Sequence, residues 1–133
     1  MSNSVATGVA YSDPEFTTCY ASQEIGYAAA AQGAVTQATS KSTGVTLNTS
    51  AGQITMNAAS LAATTNVTFT LTNSLLSGKD VLILNVTNGT SGSYNAFVSS
   101  MAAGSATITL RNISASPLSE AVVINYAIIH CAA

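Results

Sequence analysis

In residues 66–72, Asn-Val-Thr-Phe-Thr-Leu-Thr, the apolar side chains Val67, Phe69 and Leu71 alternate with the hydroxyls of Thr68, Thr70 and Thr72. An extended chain points successive side chains to opposite faces, so this order gives one apolar face and one hydroxyl face, whereas a helical turn would mix them. The same period of two returns at Ala106, Ile108 and Leu110 against Thr107, Thr109 and Arg111, and at Tyr94, Ala96 and Val98 against Asn95 and Phe97. Shorter candidate strands occupy residues 35–38, 43–47 and 52–57, the last with Ile54 and Met56 on one face and Thr55 on the other. Gly33, Gly44 and Gly52, and the clusters at 40–44, 77–80, 88–93 and 114–119, supply turn residues between them, and residues 101–105 read as a further connection through Gly104. Residues 58–63 are Ala-rich and too short for an independent helix, so they read as one helical turn or a tight loop. Seven or eight strands at intervals of roughly 8–14 residues predict an all-β chain, a single β-sandwich or partly closed barrel, with a jelly-roll-like arrangement preferred.

Two segments depart from one-sided patterning. Residues 81–86 begin with four apolar side chains in succession, and residues 120–130 place Val122, Ile124, Tyr126 and Ile128 on one face and Val123, Asn125, Ala127 and Ile129 on the other. A strand that is apolar on both faces is covered on both faces. A two-layer sandwich leaves one face of each sheet outside, so the second face is expected to be covered by another subunit. Val81, Leu82, Ile83, Leu84, Val123, Asn125 and Ile129 are accordingly the candidate core and trimer-interface residues.

Residues 1–32 differ in character from the rest of the chain. They hold Tyr11, Tyr20 and Tyr27 of the five tyrosines, Asp13, Glu15 and Glu24 of the five acids, and Phe16, without sustained periodicity. Pro14 biases Asp13 away from helix. The segment reads as an extended N-terminal arm leading into a β domain at 33–133. Its aromatic side chains either fold back on their own domain or dock on a neighbouring subunit or partner, where aromatic anchors are enriched.

Only 6% of the 133 residues are charged and the net charge is −2, where an ordinary soluble domain has roughly 25% charged residues. Such a surface has little electrostatic protection against association. It suits a protein that works inside an assembly; a secreted β domain with a hydroxyl-rich surface is the alternative. Lys41, Lys79 and Arg111 form no cluster, which argues against nucleic-acid binding. The first thirty residues contain no Lys or Arg, and no apolar run approaches the ~20 residues that span a bilayer, so cytoplasmic synthesis without a membrane partner is expected. In that compartment Cys19 and Cys131 are expected to be free thiols, a bridge between them being the alternative. The Asn-x-Ser/Thr triplets at Asn48, Asn66, Asn85, Asn88 and Asn112 are expected by chance in a chain this rich in Ser and Thr.

No chemistry-bearing constellation emerges. His130, the single histidine, adjoins Cys131, and neighbours in a strand face opposite ways, so the two do not make a nucleophile dyad. One histidine makes neither a Ser/His/Asp triad nor a histidine metal cage. Asp13 and Glu15 flank a proline, Asp80 and Glu120 are distant in sequence, and Gly89 and Gly92 lack the Lys-Ser/Thr of a phosphate loop. The expectation is a protein that is not an enzyme and uses no cofactor or metal.

The segment TQATSKSTGVTLNTSAGQITMN at 36–57, together with VTFTLTNS at 67–74, DVLILNV at 80–86, SGSYNAFV at 91–98, AAGSATITLRN at 102–112 and SPLSEAVVINYAII at 116–129, resembles a module of small tailed-bacteriophage virion structural proteins. GVAYSDPEF at 8–16 and IGY at 25–27 resemble the start of their short stand-alone members. The resemblance covers about residues 33–129, most of the chain. It implies a capsid decoration (cement) protein or head fibre, a homotrimer on the virion surface whose N-terminal segment attaches to the major capsid protein. Tyr11, Asp13, Pro14, Phe16, Tyr20, Ile25 and Tyr27 would then form the capsid-anchoring arm. The same module resembles C-terminal parts of larger phage fibres. That alternative is a fibre tip whose loops at 88–93 and 114–119 contact a host glycan or protein, with Tyr94 as a stacking platform or as plain core.

Overall fold

The computed structural model describes residues 15–131. Tyr11, Asp13 and Pro14 of the expected anchor lie outside the described residues. A single 3-10 turn, Ala29–Ala31, leads into eight strands: β1 (Gln32–Thr36), β2 (Val45–Thr46), β3 (Ala51–Thr55), β4 (Asn66–Thr72), β5 (Val81–Asn88), β6 (Tyr94–Ala102), β7 (Ser105–Asn112) and β8 (Val123–Ile129). They form two four-stranded sheets packed face to face, ordered β1-β3-β8-β5 and β2-β4-β7-β6. The fold is a β-sandwich. Successive strands from β1 to β6 alternate between the sheets, and β6 and β7 are joined within one sheet by a two-residue turn in which Gly104 takes a φ of +79°. β1 pairs parallel with β3 and β2 parallel with β4, so one edge of each sheet departs from the wholly antiparallel pairing of a jelly roll.

The core lies between the sheets, where Ile54, Phe69, Leu71, Ile108, Leu110, Val122, Ile124 and Ile128 are buried. The alternation of 66–72 holds: β4 spans those residues, with Phe69 and Leu71 inside and the threonines outside. Residues 58–63 are a loop pinned by an isolated bridge between Leu61 and Leu118.

Several boundaries differ from the sequence reading: β1, read at 35–38, spans Gln32–Thr36, β2 and β8 are shorter than 43–47 and 120–130, and for β5, β6 and two glycines packing gives the reason. β6 continues past Val98 to Ala102 because a bulge between Val98 and Ser100 inserts one residue and brings Met101 back to the inner side. The bulge breaks the alternation, which is why residues 101–105 read as a connection. A second irregularity between Val86 and Asn88 carries β5 to Asn88, into what reads as a turn cluster. Gly33 and Gly52, which read as turn punctuation, lie opposite each other inside β1 and β3, with Gly52 also opposite Tyr126 of β8. A Cβ on Gly52 would stand 2.7 Å from Leu47 Cδ2 and 2.9 Å from Tyr126 Cε1. The bare backbone makes room for the Tyr126 ring, whose hydroxyl reaches Thr49 Oγ1 at 2.9 Å and donates to the Thr49 carbonyl at 3.1 Å.

Candidate interaction surface

The outer face of the first sheet carries the side chains that β5 and β8 do not give to the core. Leu82 and Leu84 turn inward, and Val81, Ile83 and Ile129 are 51%, 49% and 52% exposed. Register places Val81 opposite Ile129, Ile83 opposite Ala127 and Asn85 opposite Asn125. The apolar half of the face therefore ends at a polar row, where Gln53 Nε2 donates to Asn125 Oδ1 at 3.0 Å. Val123 and Asn125 share this outer face at the far end of β8. β8 sits centrally and β5 is the edge strand, so the two-sided apolar character of 81–84 belongs to an edge rather than to a strand enclosed within one chain.

The arm comes to this face. β8 runs beyond the start of β3: the Ile128 N–H donates to the Ser50 carbonyl, and the Tyr27 hydroxyl donates to the Ile128 carbonyl. Gln32 Nε2 donates to the Tyr27 carbonyl at 3.0 Å and fixes the approach. Ile25, Gly26 and Tyr27 form one wall of a hollow of about 670 Å³ whose other walls are Ile83, Ala127, Ile128, Ile129 and His130. The hollow is open, and Ile25 itself is 89% exposed. Upstream, Tyr20 is 92% and Phe16 66% exposed. Of the two fates open to the aromatics, folding back applies to Tyr27, and the chain leaves Phe16, Tyr20 and Ile25 uncovered.

Magnitudes limit what the flat face can do alone. Covering the exposed halves of Val81, Ile83 and Ile129 contributes roughly 1 kcal/mol each. Association costs about 4–15 kcal/mol in lost freedom. A stable contact on this face needs further apolar area, and the nearly bare Tyr20 and Ile25 are the largest source among the arm's described residues.

The titratable groups serve structure at opposite ends of the sandwich. Asp80, just before β5, accepts from the Ser77 N–H at 2.9 Å and the Cys131 N–H at 3.0 Å, and its Oδ2 is 3.0 Å from His130 Nδ1. These bonds, the Ser77 amide foremost and then that of Cys131, hold the carboxyl well below the usual range despite its burial. The clasp ties the end of β8 to the start of β5, beside the apolar patch. Glu120 lies beyond the other end of β5, where Asn88 pairs with Val123. Asp80 and Glu120 therefore do not meet. Glu120 accepts from the Thr90 N–H at 2.8 Å, the main reason its pKa is lowered. Lys41, in sequence one of three scattered cations, is buried, and its ammonium donates to the carbonyls of Asn57 at 2.5 Å and Glu120 at 2.6 Å. Desolvation lowers its pKa, opposed by the Glu120 charge. Nothing in the sequence around Lys41 signals this latch, because its acceptors are backbone carbonyls from distant loops.

Residues 86–92 and Tyr94 line a second hollow of about 250 Å³. The Tyr94 ring packs against the core and against Gly89, whose φ is +130° and where a Cβ would stand 3.1 Å from the ring. Its hydroxyl is buried without a hydrogen-bond partner, and burial, followed by the nearby Glu120 carboxylate, pushes its pKa up. Tyr94 is half-buried, its ring packing against the core on one side and lining the hollow on the other. Cys19 and Cys131 are exposed free thiols. No group of three or more His, Cys, Asp or Glu side chains gathers among the described residues, and none of the described helices is long and apolar enough to cross a membrane.

Compared with family models, curated proteins and solved structures, the chain matches none.

Proposed function

We propose that the chain is a structural protein of a bacteriophage virion: a capsid decoration, or cement, protein made in the host cytoplasm. As a homotrimer on the particle surface it binds the major capsid protein and stabilises the shell. Its work is binding rather than catalysis, without cofactor, nucleic acid or membrane. The observation that carries this reading is that a chain with 6% charged residues leaves apolar side chains on the outer face of β5 and β8, and Phe16, Tyr20 and Ile25 of the arm, on the surface of the single copy. The resemblance of residues 33–129 to phage structural modules supplies the kind of assembly. In it the arm anchors to the shell and the outer face of the first sheet meets the neighbouring copies.

A fibre-tip module that contacts a host glycan or protein is the second reading, favoured by the polar hollow at the β5–β6 loop, lined by Thr87, Asn88, Thr90 and Ser91. Copy number separates the two. Quantitative mass spectrometry of purified particles is expected to find hundreds of copies per virion, with electron-microscopy density on the shell; a handful of copies confined to the tail would overturn decoration in favour of the fibre.

A further inference from the structure

We infer that the hollow between the arm and the outer face of the first sheet receives the arm of a second copy of this chain, with Tyr20 of that copy entering over Ile83, Ala127 and Ile129. The inference rests on the reading of the chain as a homo-oligomer and does not depend on which shell it decorates.

The chain carries both halves of the contact, and in the single copy they stand apart. The Tyr27 hydroxyl, held on the Ile128 carbonyl, fixes where the arm passes the sheet, and Ile25 and Tyr27 thereby become a wall of the hollow rather than its filling. Tyr20, five residues upstream of Ile25, stays 92% exposed on its own chain. Five extended residues reach about 17 Å, far enough to carry the ring to an adjacent molecule. The exposed halves of Val81, Ile83 and Ile129 are too small an area to hold two copies face to face, and an inserted aromatic side chain adds the missing burial. Charge does not oppose the fit: between Phe16 and Tyr27 the arm has one charged residue, Glu24, and no carboxylate is among the residues lining the hollow. Arm and hollow are different surfaces, so in the homotrimer proposed above each copy gives its arm to one neighbour and receives the arm of the other, and the ring closes about the threefold axis. Such a ring leaves residues ahead of Tyr20, Phe16 among them, for the shell.

The test uses the full chain with Tyr20→p-benzoylphenylalanine, irradiated as a mixture of isotopically light and heavy copies. The expected product is a heavy–light cross-link from position 20 to peptides holding residues 81–85 or 127–130. Cross-links that stay within one chain, reach other surfaces, or in assembled particles join position 20 to the major capsid protein instead, overturn the inference. A second measurement uses Tyr20→Ser and Ile83→Asp, each first checked for native circular dichroism. Each alone is expected to weaken self-association at least tenfold, and mixing them is expected to restore a pair through the intact arm of one and the intact hollow of the other. Unchanged association, or no recovery on mixing, also overturns it. If copies join this way but fail to bind shells, decoration falls and this contact stands; if shells are bound while both variants associate normally, the reverse holds.

Discussion

Asn112 closes β7 with its side chain fully buried, and that one amide organises the loop beyond it. Its Nδ2 donates to the carbonyls of Leu61, Ala62 and Ser116, and its Oδ1 accepts from the Ser114 N–H and hydroxyl. In the sequence it is one more member of an Asn-x-Ser triplet, since an asparagine that knits three chain segments has the same neighbours in sequence as one in an ordinary turn. Asn112→Ala strands several buried backbone groups and is expected to cost roughly 2–3 kcal/mol, read from urea denaturation. Asp80 gives a pH prediction. Its carboxyl and that of Glu120 have folded-state pKa values below the ordinary 3.8 and 4.5, so the unfolded chain takes up protons first as the solution is acidified. Their stabilisation is therefore complete above about pH 5 and declines as pH falls through 4 and below. Urea midpoints from pH 7 to pH 3 are expected to fall, and Asp80→Asn to lower the midpoint at pH 7 while flattening the acid limb.

At the scale of elements, strands with one wet face are legible in the sequence and strands that break a local rule are not. β4 follows directly from alternating threonines, and β8 from its two apolar faces. β6 runs longer than its alternation suggests because a bulge resets that alternation, and a bulge is a property of the pair β6–β7 rather than of either sequence alone. The glycines of β1 and β3 look like turn residues for a similar reason: a side chain at Gly33 would meet Leu47 and Thr49, and one at Gly52 would meet Leu47 and the Tyr126 ring, on a strand about seventy residues away. Gly52→Val fills the space that ring occupies and is expected to destabilise the fold by about 1–3 kcal/mol through overpacking, seen as a lowered melting temperature. Gly78→Ala, where a Cβ meets nothing within 4 Å, serves as its control and is expected to change the melting temperature little. Parallel pairing at one edge of each sheet is not legible either, because strand order depends on contacts far apart along the chain.

The whole molecule is a self-sufficient sandwich bearing an arm and a face that it does not cover. Glu15 to Ala30 are all exposed, so removing residues 1–26 while retaining Tyr27 is expected to leave the circular dichroism of the sandwich native while removing the Tyr20 contact between copies. The same truncation is expected to abolish binding to undecorated shells; binding at full strength without the arm would refute its role as the anchor. Fold class is visible in patterning. The place where arm and sheet meet is not, because it depends on one tyrosine hydroxyl reaching a carbonyl a hundred residues further along. The account's central claim is that the exposed apolar face and arm are covered by other copies. Sedimentation equilibrium of the intact chain over a hundredfold range of concentration tests it most directly. A species of three times the 13.3 kDa chain mass is expected, reduced to the single-chain mass by Ile83→Asp. A freely soluble monomer at every concentration would contradict it.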